Sequence, residues 1–356
     1  MTLYEPIPGS AGCREFSVLE KCVSPFPRIS VMMGTEKTSQ FDESRETAMG
    51  ILVIGSVFVD IKGYPLEKYI PGGRNAGRVI QTHGGVCRNV VEDIGNIGLA
   101  PAFLSVVDDS GLGTDVIHRL QRHQVNTDHV LRHPDGLGTW LAVFDHTGDV
   151  VASISKRPDL TPLLEVLEEQ GDRLVREADS VVVEIDIDLP ILEKILALSK
   201  KHRKEVYGVV SIMSLALERR ELLQKMSCIV FNRQEAGMFF SDDFAGKTVE
   251  EMQAILVDKL TRANIPRMVI TLGAEGAVHA ELDKSSGYCP SHQLEPIDTT
   301  GAGDAFFTGV AIGLTYGKSL AEACRIGTRL ATSVILTRES VCPRFRPEEF
   351  GLPRPE

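Results

Sequence analysis

From Ile51 onward, short apolar runs rich in β-branched residues alternate with segments of helix length, and this alternation constrains the fold more than any other feature of the chain. The runs at 51–59, 101–107, 180–185, 205–211, 227–231 and 267–272 have the length and residue types of strands, while 86–97, 111–123, 189–202, 248–263 and 303–316 read as helices. Apolar strands of this kind must be covered on both faces, and strands separated by helices pair in parallel. The expected class is therefore α/β, a three-layer α/β/α sandwich around a mainly parallel central sheet. Two segments break the rhythm. Residues 60–83 and 138–156 read as extra strands, the latter a hairpin turning at His146-Thr147-Gly148, and together they predict a small β-sheet lid.

Residues 1–48 mix Pro, Ser, Glu and Gly without a sustained period and end in a polar run at 35–47, so they are expected to be a disordered N-terminal extension, with one domain over 49–356. A net charge of −11 argues against partners recognised by neutralising their phosphates, whether nucleic acid or anionic lipid. No apolar run reaches the roughly 18–20 residues of a membrane span and no secretory signal pattern is present, so a cytoplasmic location is expected. The seven cysteines are scattered without a CxxC pair, which suggests neither a disulfide framework nor a zinc knuckle. His118, His123, His129 and His133 lack HExxH spacing and read as solvated helix and loop residues.

Two phosphate-loop readings fail. Gly313-Leu-Thr-Tyr-Gly317-Lys318-Ser319 has three residues between its glycines where a Walker A loop has four, so Gly317 reads as a helix C-cap with Lys318-Ser319 opening the next helix. Ile51–Gly55 runs on without a GxGxxG turn. The segment Asp298-Thr299-Thr300-Gly301-Ala302-Gly303-Asp304 is different. Its small residues leave backbone N–H groups open to an anion, and the apolar helix that follows adds the positive end of its dipole. Asp304 falls in the first turn of that helix, where a carboxylate beside an anion site suits a proton acceptor. Taken alone, an Asp capping a helix after a glycine turn fits equally well.

This segment resembles the DTxGAGD signature of the ribokinase-like (PfkB) carbohydrate kinases, and further landmarks of that family follow in order along residues 51–350. Gly55-Ser56-x-x-x-Asp60 matches the opening strand, which implies that Asp60 binds sugar hydroxyls. Gly84-Gly85-x-x-x-Asn89 matches the first signature, implying that the glycines admit the sugar and Asn89 helps to hold it. Glu184 falls where ribokinases carry a Glu at a strand end. Asn232-x-x-Glu235 matches a motif near metal and phosphates, and Thr271, Gly273 and Gly276 match the strand and turn on the nucleotide side. Over this span the resemblance implies an ATP-dependent kinase acting on a primary hydroxyl of a sugar or nucleoside. Asp304 would be the base and the Gly301, Ala302 and Gly303 amides the anion hole, with Thr300 on the ATP side. Mg²⁺ would lie near Asn232 and Glu235, largely through water, and K⁺ near Asp298 and Thr300. A homodimer through the lid is a further expectation. The sequence departs from the family at Ser211, where many relatives have Asp or Asn followed by Pro, and at Phe231, where Pro is usual before Asn232.

For the acceptor, Gly84-Gly85-Val86-Cys87-Arg88-Asn89 is similar to the GG-V-x-R-N of pseudouridine kinases, a branch of the same family, as is the turn Asp145-x-Thr147-Gly148. Pseudouridine is the first expectation, with Arg88 at the substrate and Asn75, Thr139 and His146 of the lid bonding the base. An equal reading of Arg88 is a surface arginine or an i,i+4 salt bridge to Glu92. Ribokinase, fructokinase and adenosine kinase activities are alternatives, and Arg74 and Arg78 keep a phosphosugar acceptor open. A catalytically silent sugar-binding regulator would be expected to have lost Asp304 or the glycines, which are present.

Overall fold

All four residues of the strand Ile51–Ile54 are buried, Ile51 and Val53 in one apolar cluster and Leu52 and Ile54 in another. Successive strand residues point to opposite faces, so this strand is covered on both sides. The computed structural model describes residues 50–282 and 286–354, and the proposed extension at 1–48 lies outside them. Thirteen strands are described: β1 (Ile51–Ile54), β2 (Phe58–Pro65), β3 (Gly77–Gly84), β4 (Ala102–Val107), β5 (Val130–Arg132), β6 (Gly138–Phe144), β7 (Val150–Lys156), β8 (Ser180–Glu184), β9 (Val206–Val209), β10 (Cys228–Asn232), β11 (Arg267–Thr271), β12 (Ala277–Glu281) and β13 (Ser286–Cys289).

Nine of them form one sheet in the order β13-β12-β11-β10-β9-β8-β1-β4-β5. Pairing is parallel from β5 to β11 and antiparallel for β12 and β13 at one edge. The cluster around Ile51 is completed by the helices Val86–Asn96, Ala302–Thr315 and Leu320–Ile335, and that around Leu52 by Pro162–Glu169, Leu189–His202 and Val249–Ala263. This is the three-layer sandwich expected from the alternation. The apolar run at 51–59 is split. β1 stays in the main sheet, while β2 begins at Phe58 in the second, where Gly138 N donates to Val57 O at 2.9 Å. The sequence reading did not separate the antiparallel β12–β13 pair, because its strands of five and four residues are too short to show a period.

The second sheet has the order β3-β2-β6-β7. Its register decides what each face presents. Asp60 lies opposite Thr82 and Trp140, and Trp140 opposite Ser155, so these four share one face. Ile61, Leu141 and Ile154 share the other, with Gly63, Val79 and Val143 two residues along. The hairpin turns where expected, Asp145 N donating to Asp149 O at 2.8 Å.

The helix Ala302–Thr315 crosses Leu320–Ile335 at small residues. A Cβ on Gly309 would lie 2.4 Å from Gly327 N, so the two backbones meet without side chains between them, which fixes the buried helix that carries Asp304. Between them Lys318 N bonds to Gly313 O at 2.9 Å and Ser319 forms a capping box with Glu322, as the helix-cap reading of this segment required. Among the described residues no helix is long and apolar enough to cross a membrane, and the five described cysteines are buried and free.

Candidate active site

The cleft-facing side of the lid sheet looks onto the C-terminal ends of β1 and β8, and between them lies a cleft of about 800 Å³. The carboxyl ends of parallel strands are where α/β sheets bind ligands, because the loops diverge there. Asp60, Gly84, Gly85, Arg88, Asn89, Glu184, Asp298, Thr300 and Asp304, dispersed over the sequence, all line this one space.

At its floor the helix Ala302–Thr315 begins. Gly301 has φ +82, and a Cβ there would lie 2.0 Å from Ser340 O, so only glycine fits. A Cβ on Gly303 would meet nothing within 4 Å. Among the described residues no backbone acceptor faces the N–H groups of Gly301, Gly303 or Asp304. Unpaired amides at the positive end of a helix, in open space, form a receptor for an anion. Asn89 Nδ2 donates to Asp304 Oδ2 at 2.6 Å, and Ser340 Oγ donates to Asn89 Oδ1 at 3.3 Å. Burial pushes the Asp304 carboxyl up to about 6, with Glu184 and Glu235 adding to the rise and Asn89 and Arg88 opposing it. Such a group is ionised at neutral pH yet close enough to neutrality to take a proton.

Asp60 reaches in from the lid, and a Cβ on Gly84 would lie 2.5 Å from its Oδ1, so the glycine makes room for that carboxylate. Burial raises its pKa and the Lys62 ammonium, 3.9 Å away, draws it back. Glu184 is buried at the end of β8. It accepts from Ser56 N and Ser56 Oγ, both at 2.7 Å, and from Ser211 Oγ at 3.0 Å, while burial raises its pKa. It therefore ties three strand ends together beneath the cleft. Ser211 and Ile212 also donate their amides to Asp186 Oδ2 at 2.8 and 2.7 Å. Phe231, the other departure, is buried against Phe239 with ring centroids 5.3 Å apart.

Arg88 is not a surface residue. It is 1% exposed, and its guanidinium donates to Glu92 Oε2 at 2.8 Å, Gly84 O at 3.3 Å, His83 O and Ser340 Oγ. Of the two bland alternatives the salt bridge to Glu92 forms, and Arg88 braces the glycine turn from behind. Asn75, Thr139 and His146 do not line the cleft. Asn75 bonds within its own turn to Ile70, Thr139 pairs with Val59 on the opposite face to Asp60, and His146 sits at the hairpin tip. Arg74 and Arg78 are also outside it, Arg78 stacking on Tyr64. The lid residues that line the cleft from this face are Phe58, Asp60, Lys62, Thr82, Trp140 and Ser155, a set that period-two counting from Asp60 and across the register would have found, and Gln81 and His83 line it as well. Arg157 and the segment Arg338–Ser340 line it too, without any sequence signal.

Asn232 and Glu235 form a capping box at the start of the helix Arg233–Phe240, with Asn232 Oδ1 accepting from Glu235 N and Glu235 Oε2 from Asn232 N, both at 2.8 Å. Asn232 pairs with Thr271 across β10 and β11, and Gly273 and Gly276 flank the turn that follows. None of these five lines the cleft, although the Glu235 charge is felt at Asp304. Among the described residues no group of three His, Cys, Asp or Glu side chains could hold a metal ion. One amide and one partly engaged carboxylate suit a hydrated magnesium ion carried on phosphates rather than a protein cage. Of the four histidines read as solvated, His118 is exposed, His129 and His133 are partly buried, and His123 is half-buried against Asn96 and Glu92.

The pfkB family carbohydrate kinase profile matches residues 49–343. The guanosine-inosine kinase of Exiguobacterium acetylicum is 34% identical over 292 residues, covering 82% of this chain and 95% of that protein. The pseudouridine kinase of Escherichia coli is 24% identical over 278 residues, covering 77% and 87% respectively. Among solved structures, Arabidopsis thaliana ribokinase complexed with ribose and ATP has a TM-score of 0.74 at 19% identity, covering 83% of this chain and 96% of that one, a likeness of fold.

The raised Asp304 carboxyl makes a prediction about stability. The folded state holds the Asp304 proton more tightly than the unfolded chain, so stability falls as pH rises from about 4 through about 6. Asp304→Asn, which keeps an acceptor for Asn89 and cannot ionise, should match the parent at low pH and exceed it by up to ~3 kcal/mol above pH 7. Chemical denaturation at a series of pH values measures this, and a difference independent of pH would contradict it.

Proposed function

The chain belongs to the pfkB family of carbohydrate kinases, and on that footing we propose that it phosphorylates the primary hydroxyl of a nucleoside, a purine nucleoside ahead of pseudouridine. An ATP-dependent kinase of sugars or nucleosides is what the family establishes, and the acceptor is our reading. The observation that carries it is the composition of the cleft. Trp140 and Phe58 give a wall on which a base can stack, and Ser155, Arg157 and Lys62 give polar partners beside it, more than a bare sugar needs. The similarity to guanosine-inosine kinase exceeds that to pseudouridine kinase, and Arg88, which favoured pseudouridine, is consumed internally.

In this reading Asp60 accepts hydrogen bonds from the ribose hydroxyls, charge-assisted and hence strong, and Asn89 holds the same ring from below. The acceptor oxygen attacks the γ-phosphorus, its bond to the ADP oxygen breaks, and the hydroxyl proton passes to Asp304. The open amides of Gly301 and Gly303 stabilise charge on the transferring oxygens, whereas the Ala302 amide, expected to join them, donates to Thr299 O at 3.2 Å. Asn232 and Glu235 would hold a magnesium ion through its water, which would supply neutralisation of phosphate charge, and Thr271, Gly273 and Gly276 would border the nucleotide. A monovalent cation such as K⁺ would lie by Asp298 and Thr300, whose side chain and amide are already joined at 2.9 Å.

The direct test compares kcat/KM for guanosine, inosine, uridine, pseudouridine and ribose at saturating MgATP. Guanosine or inosine should lead, and ribose should trail by roughly 10²-fold or more because base-facing groups are then left unpaired. A preference for ribose or fructose would sink the nucleoside reading.

The outer lid face offers a second proposal, a homodimer in which two lid sheets meet. Ile154 and Val79 are 70% and 69% exposed on a face shared with Leu141, and a two-fold axis would cover both copies at once. Sedimentation should give a dimer that Ile154→Asp converts to a monomer, and a monomeric parent protein would exclude it.

A further inference from the structure

The helix Val86–Asn96 is buried along nearly its whole length although it carries Arg88, Glu92 and Asp93. Glu92 is 0% exposed and meets two cations, Arg88 at 2.8 Å and Arg119 at 2.9 Å, with the His123 imidazole, whose pKa burial lowers, at 3.5 Å. Buried ion pairs of this kind are poor sources of stability, since apolar replacements often do as well. Their placement suggests another role. Ser340 Oγ lies between Arg88 Nη2, 3.4 Å away, and Asn89 Oδ1, 3.3 Å away. Arg88 can only donate, so the Ser340 hydroxyl spends its lone pair on Arg88 and its proton on Asn89 Oδ1. That leaves the amide nitrogen of Asn89 turned toward Asp304.

The groups acting on Asp304 are Cys87, Arg88 and Asp93 from this helix, Glu184 from the end of β8, and Glu235 from the start of the helix Arg233–Phe240, with Glu92 paired to Arg88 and Arg119 and His123 behind Glu92. Burial holds the Cys87 thiol protonated. Arg88 is thus the cation of this set that favours an ionised Asp304, and Glu92 masks it.

We propose that Arg88 and Glu92 are positioning residues for the base: Arg88 fixes, through Ser340, the orientation in which Asn89 donates to Asp304, and the balance of charge in the pair governs how readily Asp304 holds a proton. The proposal rests on the reading of Asp304 as the base. It differs from a purely structural role in one respect. Removing the two members of the pair must move Asp304 in opposite directions, because one removal deletes a cation and the other unmasks it.

The test measures kcat/KM against pH for the full-length kinase and for Arg88→Met, Arg88→Lys and Glu92→Gln, with guanosine or whichever acceptor proves best. The acid limb should move up by ~0.5 unit or more in Arg88→Met and down by a similar amount in Glu92→Gln. It should stay in place in Arg88→Lys, which keeps the charge, while kcat falls because one ammonium cannot reproduce the guanidinium's bonds to His83, Gly84 and Ser340. Limbs that move together, or limbs that stay in place while the stability-derived ionisation of Asp304 also stays in place, overturn the proposal. Should Glu92→Gln fail to fold, the contrast between Met and Lys at position 88 decides, and equal behaviour of the two overturns it. Each variant is also paired with its Asp304→Asn double mutant, and the pH at which their stabilities diverge reports Asp304 ionisation without turnover. If that pH shifts as described while the kinetic limb does not, the base reading fails and the electrostatic control stands.

Discussion

The hydrogen bond from Asn89 to Asp304, 2.6 Å long, is the contact on which the rest of this site depends. Each residue sits in the first turn of its own buried helix, and each helix follows a glycine turn. The bond therefore joins the helix after the Gly84-Gly85 turn to the helix after the Gly301 turn, the two elements to which the proposed function gives the acceptor and the phosphoryl group. A carboxylate so placed is held against its own desolvation, which is why its pKa climbs to about 6 while it remains ionised at neutral pH. The same burial that makes the residue useful makes it a source of instability, a common trade in catalytic sites.

The lid follows from a different constraint, the two-residue period of a strand. Because Asp60 faces inward, Lys62 does too, and the register carries that face across to Trp140 and Ser155. Of the intervening residues, Ile61 packs against the core, while Leu141 and Ile154 are committed to the outer surface, where their apolar character is otherwise unexplained. One strand register thus sets both the cleft-facing wall and the exposed outer face of the lid.

The sandwich was legible because both-face burial leaves continuous apolar runs, and the signature glycines were legible because positive φ and close backbone approach admit little else. Gly301 under Ser340 O and Gly84 beside Asp60 show why. What the sequence concealed were contacts between distant segments. Arg88 could be read as solvent-facing, substrate-facing or paired, and only its placement under Ser340, 252 positions away, resolves it. Ser211 showed in the sequence only as a departure from the family pattern, and its bonds to Glu184 and, through its amide, to Asp186 join segments the sequence keeps apart. The base-facing lid residues were assigned by polarity rather than by strand parity, which chose Thr139 where its neighbour Trp140 faces the cleft.

The central claim is that Asp304 takes the proton of the acceptor while the amides beside it hold the phosphoryl group, two tasks carried by different atoms of one helix terminus. Turnover and nucleotide affinity measured together in Asp304→Asn separate them. The account requires kcat to fall by about 10²–10⁴, the usual effect of losing a general base, with the dissociation constant for ATP within a few-fold of the parent. Near-parental turnover with ATP binding intact would contradict it.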